Sequence, residues 1–266
     1  MVTASIVLHK TPSFQIEKAI NCLLNSFIEH IYIIDNSPTD ILKNYIPDSP
    51  VLSYIHTLNK GFGAAHNIAI KLSFELRADF HLIMNPDVYW RGDILSPLIG
   101  YMQKNPNVGL IAPKVLNPDG SLQYSCRMLP TPGDLFIKRF FPSYLSKGRM
   151  KRYLLKDYSH DYPLDCPYLL GSFLLFRIEA LKQCGIFDER FFMYPEDIDI
   201  SRRLHESWNT VYWPLVSIFH EHQAASRKNL KMFGIHLINM IRYFNKWGWL
   251  DDPKRKKFNC KLVSQL

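Results

Sequence analysis

Hydrophobic and polar positions alternate in blocks through the first 114 residues. The apolar run Val2–Leu8 reads as a strand. The stretch after it opens at Ser13 and repeats apolar residues at Phe14, Ile16, Ile20, Leu23, Leu24 and Phe27, which predicts a helix with that set as its inward face. The same reasoning predicts strands at His30–Asp35, 51–58, 80–85 and 108–114, and helices at 64–76 and 93–103. Strands alternating with helices call for a mostly parallel sheet covered on both faces. Ligands of such sheets bind beyond the carboxyl ends of the strands. Polar residues gather there: Asp35-Asn36-Ser37, Asn59-Lys60-Gly61 and Asn85-Pro86-Asp87.

Beyond Pro113 the pattern loosens. Asn117-Pro118-Asp119-Gly120 signals a turn, and 130–163, rich in Pro, aromatic and basic residues, reads as a loop or helical excursion. A strand is expected at 169–178, then a short helix ended by Gly185 as C′ glycine. A helix follows from 195–196 to about 207, a last core strand at 211–213, a helix at 229–247 and a basic tail. This divides the chain into a domain at 1–225 and a C-terminal helix with basic tail at 226–266 packed on it.

With 47% hydrophobic and 14% aromatic residues, the chain is not disordered. No apolar run approaches the roughly 20 residues of a membrane-spanning helix, and residues 1–8 lack the basic flank and cleavage site of a signal peptide. A cytoplasmic location is expected. The five cysteines are scattered and never form a CxxC pair, against a disulfide framework or structural zinc. The net charge of +8 is unevenly spread: residues 138–156 hold seven Lys/Arg and no acid, and 227–261 hold ten against Asp251 and Asp252. The remainder, with fifteen basic and twenty-two acidic residues, is net −7. An acidic body with two basic patches is not the profile of a nucleic-acid binder.

Several residues offer chemistry beside a plainer structural role. Asp35 and Asn36 at a strand end suit hydrogen bonds to a nucleobase or ribose, or an Asx turn. Asn59, Gly61, Phe62, Gly63 and Asn67 open a helix, where exposed N–H groups suit phosphate, or simply make the strand-to-helix turn. Asn85 and Asp87 suit Mg²⁺ or Mn²⁺ together with a diphosphate, or a capped proline turn. Glu196, Asp197 and Asp199 crowd one helical first turn. Capping needs only one of them, so a general base is an equal reading. His220 and His222 flank Glu221 past a strand, where one of them suits a metal better than both.

In this order, the segments IIDNSPTD (33–40), NKGFGAAHN (59–67), MNPDV (84–88), LLGSFLLFR (169–177), GIFDERFFMYPEDIDISRRL (185–204) and FHEHQAASRK (219–228) resemble family-2 glycosyltransferases of the GT-A fold, in the rhamnosyltransferase-like branch. The resemblance runs from about residue 5 to 249. It implies a metal-dependent inverting transferase that moves a sugar, rhamnose from dTDP-rhamnose by preference, from a nucleotide diphosphate onto a glycan or polyprenyl-diphosphate-linked acceptor in cell-surface polysaccharide synthesis. Asp35 would then contact the base, and 61–67 would lie near the donor. Asp87 and His220 would hold Mg²⁺ or Mn²⁺, Asp197 would be the base, and Gly171 and Ser172 would wall the transferred sugar. Two departures stand out: Asn85 replaces the first acid of the DxD element, and His9-Lys10 stand where many relatives carry Tyr-Asn. A nucleotidyltransferase is disfavoured because His9-Lys10-Thr11-Pro12 replaces a glycine-rich basic signature after the first strand. A non-catalytic sugar-nucleotide-binding module is the remaining alternative. Phe140, Phe141, Tyr144 and Tyr153 in one basic patch, and Tyr243, Phe244, Trp247 and Trp249 in the other, suit an anionic membrane surface at the inner face of the plasma membrane. The plainer reading is a solvated helical face with Trp247 packed inward.

Overall fold

The computed structural model describes residues 1–135, 143–221 and 230–266, with 143–146 and 230–232 described by backbone alone. Four strands, β1 (Val2–Leu8), β2 (His30–Asp35), β3 (Leu52–His56) and β4 (Phe80–Met84), lie parallel in the order β3-β2-β1-β4. The helices α1 (Ser13–Leu24) and α2 (Phe62–Glu75) connect them. After β5 (Val88–Tyr89), helix α3 (Leu95–Lys104) leads to β6 (Val108–Leu116), and the short strands β7 (Leu122–Gln123) and β8 (Cys126–Arg127) follow. Helix α4 (Ser143–Tyr153) precedes β9 (Leu164–Asp165), β10 (Tyr168–Leu169) and β11 (Phe173–Arg177). Helices α5 (Ile178–Cys184) and α6 (Glu196–His205) then lead to β12 (Asn209–His220), and α7 (Leu230–Trp247) and α8 (Pro253–Val263) close the chain.

The sheet continues as β4-β11-β6-β12-β5 and is mixed α/β, mostly parallel, as expected. The exceptions are β11, antiparallel to both β4 and β6, and the two-residue strands β5, β7 and β9, antiparallel to β12, β6 and β12. Both faces are buried, so the strands read as unbroken apolar runs. Period-two alternation still sorts their side chains. Leu82, Met84, Phe173 and Leu175 enter the core shared with α1 and α3, whereas Ile83, Leu174 and Phe176 enter the core shared with α5, α6, α7 and α8. Beneath α2 the sheet is polar. Ser5 hydrogen-bonds both His66 Nδ1 (2.7 Å) and His81 Nε2 (2.9 Å), and Thr3 bonds Ser73 and His81 Nδ1. Burial pushes both histidines down, His81 to about 3, so both pack as neutral rings.

Four sequence expectations change. The buried stripe of α1 is Gln15, Ile16, Ala19, Ile20 and Leu23, whereas Phe14, Leu24 and Phe27 face solvent. Phe14 lies about 200° around the helix from Ile16, and Phe27 follows the helix end. The strand expected at 169–178 is split: β10 pairs with β8 in a separate small sheet, a turn intervenes at 171–172, and Ile178 opens α5. The strand expected at 211–213 runs on to His220 across a register shift between Trp213 and Ser217, so His220 is a strand residue. The basic tail is helix α8, with Asp252 as N-cap accepting from Arg255 N–H (2.9 Å) and Pro253 at its first turn. Its Leu262, with Tyr243 and Phe244 of α7, belongs to the main core.

Candidate active site

The carboxyl ends of β1 and β2 bring His9, Asp35, Asn36 and Asn59 together. Asp35 is fully buried: its Oδ1 accepts from Ser37 N–H (2.8 Å), closing the Asx turn, and its Oδ2 accepts from Tyr54 O–H (2.6 Å). Burial, with Asp35 next, holds the Tyr54 phenol far above its usual range, so it donates. Asn36 Oδ1 is buried with no hydrogen-bond partner, while the Asn36 carbonyl hydrogen-bonds His9 Nδ1 (2.9 Å). Asn59 is exposed, and its Oδ1 accepts from Gly61 N–H (3.1 Å).

The 61–67 segment has a different physical rationale from phosphate cradling. Gly61 sits at φ +106°, and a Cβ there would come within 2.3 Å of the Phe192 carbonyl oxygen, which accepts from Phe62 N–H (3.0 Å). A Cβ on Gly63 would meet Phe187 at 2.8 Å. Asn67 donates to Phe187 O (2.9 Å) and accepts from Phe187 N–H (3.0 Å), and its amide also donates to Glu189. Gly61, Phe62, Gly63 and Asn67 therefore clamp α2 to the loop before α6. The amide of Asn67 is spent on that clamp.

The step after β4 turns sharply: Val88 N–H donates to Asn85 O (3.2 Å), and Asn85 N–H donates to Ser172 O (3.0 Å). Val88 pairs with His220 across β5 and β12, and Glu221 N–H donates to the Asp87 carbonyl (2.9 Å). This register brings His220 Nε2 within 3.3 Å of Asp87 Oδ1. Asp87 Oδ1 is buried with no hydrogen-bond partner, an unusual state for a carboxylate oxygen. A carboxylate oxygen and an imidazole nitrogen converging on one point match the donor set of a divalent cation. Among the described residues no cluster of three or more His, Cys, Asp or Glu completes a cage, so two protein donors would leave the remaining positions to water and a diphosphate. The second histidine of the pair, His222, lies outside the described residues.

The turn at 171–172 ties this step to α6. One residue before the carbonyl that meets Asn85, Gly171 N–H donates to Asp197 Oδ2 (3.0 Å). A Cβ on Gly171 would lie 3.0 Å from the Asp197 Cβ. Tyr168 O–H donates to the same oxygen (3.3 Å), and Ile198 N–H donates to Asp197 Oδ1 (2.8 Å). The turn that carries Asp87 and the carboxylate of Asp197, remote in the chain, thereby bond to two consecutive residues, Ser172 and Gly171. Burial raises Asp197 to about 6, opposed by the Gly171 N–H and the Arg127 guanidinium. Burial and then the neighbouring Asp197 push Glu196 well above the usual carboxylate range. Of the two, Glu196 is held further above the usual carboxylate range than Asp197. Ser172 Oγ and Glu196 Oε2 are buried without hydrogen-bond partners, like Asp87 Oδ1.

The other acids of the motif have structural work. Asp199 accepts from Arg203 (2.9 Å) and Trp247 Nε1–H (2.8 Å) and pairs with Lys246 (2.7 Å). Arg202, buried, makes a bidentate pair with Asp252 (2.6 and 2.7 Å) and stacks on Trp247. Sequence reasoning missed Tyr168 and Arg127, which reach Asp197 because β8 and β10 pair. A two-residue strand gives no periodicity to find.

The sequence pattern of the family described as "Glycosyl transferase family 2" matches residues 14–185. The chain belongs to glycosyl transferase family 2. This glycosyltransferase is 30% identical over 215 residues to the N-acetylglucosaminyl-diphospho-decaprenol L-rhamnosyltransferase of Mycobacterium tuberculosis, covering 74% of this chain and 67% of that one. It is also 30% identical over 231 residues to the rhamnosyltransferase WbbL of Escherichia coli, covering 83% and 84%. These likenesses place the glycosyltransferase in the rhamnosyltransferase-like branch. Its fold is that of the GT-A enzymes. The mannosyltransferase PcManGT of Pyrobaculum calidifontis, solved with GDP-Man and Mn²⁺, superposes with a TM-score of 0.62 at 15% identity over 98% of this chain and 68% of that one. GalNAc-T7, solved with UDP, GalNAc and Mn²⁺, superposes with a TM-score of 0.60 at 14% identity, and this chain spans 43% of its length.

Proposed function

We propose that the glycosyltransferase moves a rhamnosyl group from dTDP-rhamnose, with inversion, onto a glycan or polyprenyl-diphosphate-linked acceptor in cell-surface polysaccharide synthesis. The observation that carries this reading is that the turn bearing Asp87, which faces His220, and the carboxylate of Asp197 bond to the adjacent residues Ser172 and Gly171. The names of the two rhamnosyltransferases support the donor, and the mycobacterial name supports a lipid-linked acceptor. Asp35, Asn36 and Asn59 are assigned to the nucleoside side, and Asn85, Gly171 and Ser172 to the sugar.

Asp197, held by three donors, takes the proton of the acceptor hydroxyl as that oxygen bonds to the anomeric carbon. The bond to the diphosphate breaks on the opposite face, so the configuration inverts. Asp87 and His220 would hold Mg²⁺ or Mn²⁺, which supplies Lewis-acid stabilisation of the leaving diphosphate. The Mn²⁺ in both solved GT-A neighbours supports that choice. The test is product formation from a panel of nucleotide sugars with Mn²⁺ or with EDTA. Metal-dependent release of dTDP from dTDP-rhamnose is expected, and release unaffected by EDTA sinks the metal assignment.

We also assign this chain a peripheral position on an anionic membrane, at the inner face. No helix among the described residues is long and apolar enough to cross a membrane. Support comes from α7 and the turn after it, which expose Ile238 (52%), Ile241, Trp249 and Leu250 (85%) beside Arg242. Most lysines of α8 are already committed: Lys254 to Glu206, Lys256 to Asp251 and Lys261 to Asp165. The apolar residues should therefore dominate. Ile238→Ser with Leu250→Ser is expected to abolish co-sedimentation with phosphatidylglycerol vesicles. Equal sedimentation of variant and wild type would discard the surface. Phe140 and Phe141 of the other basic segment lie outside the described residues.

A further inference from the structure

The residues behind His220 form a relay whose direction is fixed at every step. Gln123 Nε2 lies 2.7 Å from the backbone carbonyl oxygen of His220 and 2.7 Å from Asn117 Oδ1. A carbonyl oxygen only accepts, so this end of the Gln123 amide is the NH₂ group. Its Oε1 then faces His220 Nδ1 at 3.0 Å. An amide oxygen also only accepts, so Nδ1 carries the proton, and in the neutral ring Nε2 holds the lone pair. That nitrogen points at Asp87 Oδ1, 3.3 Å away.

The turn between β6 and β7 imposes the same polarity from the far end. Asp119 Oδ1 accepts from Ser121 O–H (2.6 Å) and Ser121 N–H (2.9 Å). With its proton spent there, Ser121 Oγ accepts from Asn117 Nδ2 (2.8 Å). Asn117 Oδ1 is thereby turned toward the Gln123 amide. Every member of the chain from Asp119 to His220 has one allowed orientation.

We propose that Gln123, oriented by the Asn117-to-Ser121 turn, is a positioning residue that fixes His220 as the Nδ1–H tautomer and presents Nε2, with Asp87, to a divalent cation. This rests on the reading of Asp87 and His220 as the metal pair. Partners of this kind, bonded to the far nitrogen of a ligating histidine, set ring orientation and basicity, and their loss costs about 10–100-fold in metal affinity.

The experiment uses the full chain. Long-range ¹⁵N NMR of the metal-free, histidine-labelled protein at mildly alkaline pH reads the tautomer, with His220→Ala supplying the assignment. Mn²⁺ alone, titrated and followed by EPR of the free ion, reads affinity. Wild type is expected to show the Nδ1–H tautomer. Gln123→Leu should give a mixed or reversed tautomer and weaken Mn²⁺ about 10–100-fold. Gln123→Glu, which keeps an acceptor at Nδ1 but loses the donor to the His220 carbonyl and Asn117 Oδ1, should hold the tautomer more firmly than Gln123→Leu and less firmly than wild type. Asn117→Ala, a milder change that only releases the Gln123 amide, should move both readouts in the direction of Gln123→Leu. An Nε2–H tautomer in wild type, or a Gln123→Leu protein with unchanged tautomer and Mn²⁺ affinity, overturns the proposal. Wild type that holds the Nδ1–H tautomer yet binds no Mn²⁺ removes the metal pair and the positioning role with it. The spectrum distinguishes that failure from the first.

Discussion

Asp197→Asn is expected to lower kcat by about 10²–10⁴-fold, the range for loss of a positioned general base, while donor affinity stays near wild type. The amide keeps an acceptor oxygen for Gly171 N–H and Tyr168 O–H but cannot take a proton from the acceptor. The pH profile gives the second half of the result. The wild-type carboxyl titrates at about 6, raised mainly by burial. As the proposed base it works above that pH and is protonated below it, so kcat should fall as pH drops through about 6. The Asn variant should lose this acidic limb along with the rate. Glu196→Gln should keep the limb near its wild-type pH, because burial, opposed by the Gly171 and Ile198 N–H groups, Arg127 and Tyr168, is what sets Asp197. A full acidic limb in Asp197→Asn would move the base elsewhere.

The largest stability effect is expected at Asp252, far from the chemistry. Asp252 and Arg202 are each 2% exposed and meet through two short hydrogen bonds, and Asp252 also caps α8. Asp252→Ala leaves a buried guanidinium against Trp247 with no counter-charge. Breaking one side of such a pair costs about 3–5 kcal/mol, and the lost cap adds about 1 kcal/mol. For a chain of this size that corresponds to a fall in Tm of about 10 °C. The double variant Arg202→Met with Asp252→Leu should recover most of the loss, because no charge is stranded. A Tm within a degree or two of wild type in Asp252→Ala would mean that the pair contributes little. Removal of everything after Trp249 deletes Asp252, and so would test folding before it tested membrane binding.

Much of this was legible from residues alone. The first two strands were bounded correctly because both of their faces are buried and the apolar runs end abruptly at His9 and Asn36. Asp35, Asp87 and Asp197 could be singled out because each ends or follows a strand or opens a helix with polar neighbours. What stayed hidden depended on partners far away in sequence. Nothing in Gly61-Phe62-Gly63 tells that Phe187 and Phe192 will lie against them. The apolar run at 169–177 gives no sign that its two halves pair in different sheets. Helix α8 was missed although Asp252-Pro253 is a start signal, because Phe258 and Leu262 are its sole core-facing apolar residues of any size. Its positive charge looked free because the acids that neutralise it, Asp165, Glu206 and Asp251, could not all be placed from sequence.

The reversed strand β11 has a consequence for how this enzyme can diversify. Every parallel strand delivers its side chains to the reactive edge as the chain departs, whereas β11 delivers Gly171 and Ser172 on arrival. The segment feeding β11 comes from the small β8–β10 sheet and not from a crossover helix. Changes of length or sequence around β8 and β10 would therefore act directly on the Gly171 contact with Asp197, and on the Asp87–His220 register only through β9, which pairs with β12, and the Ser172-to-Asn85 hydrogen bond.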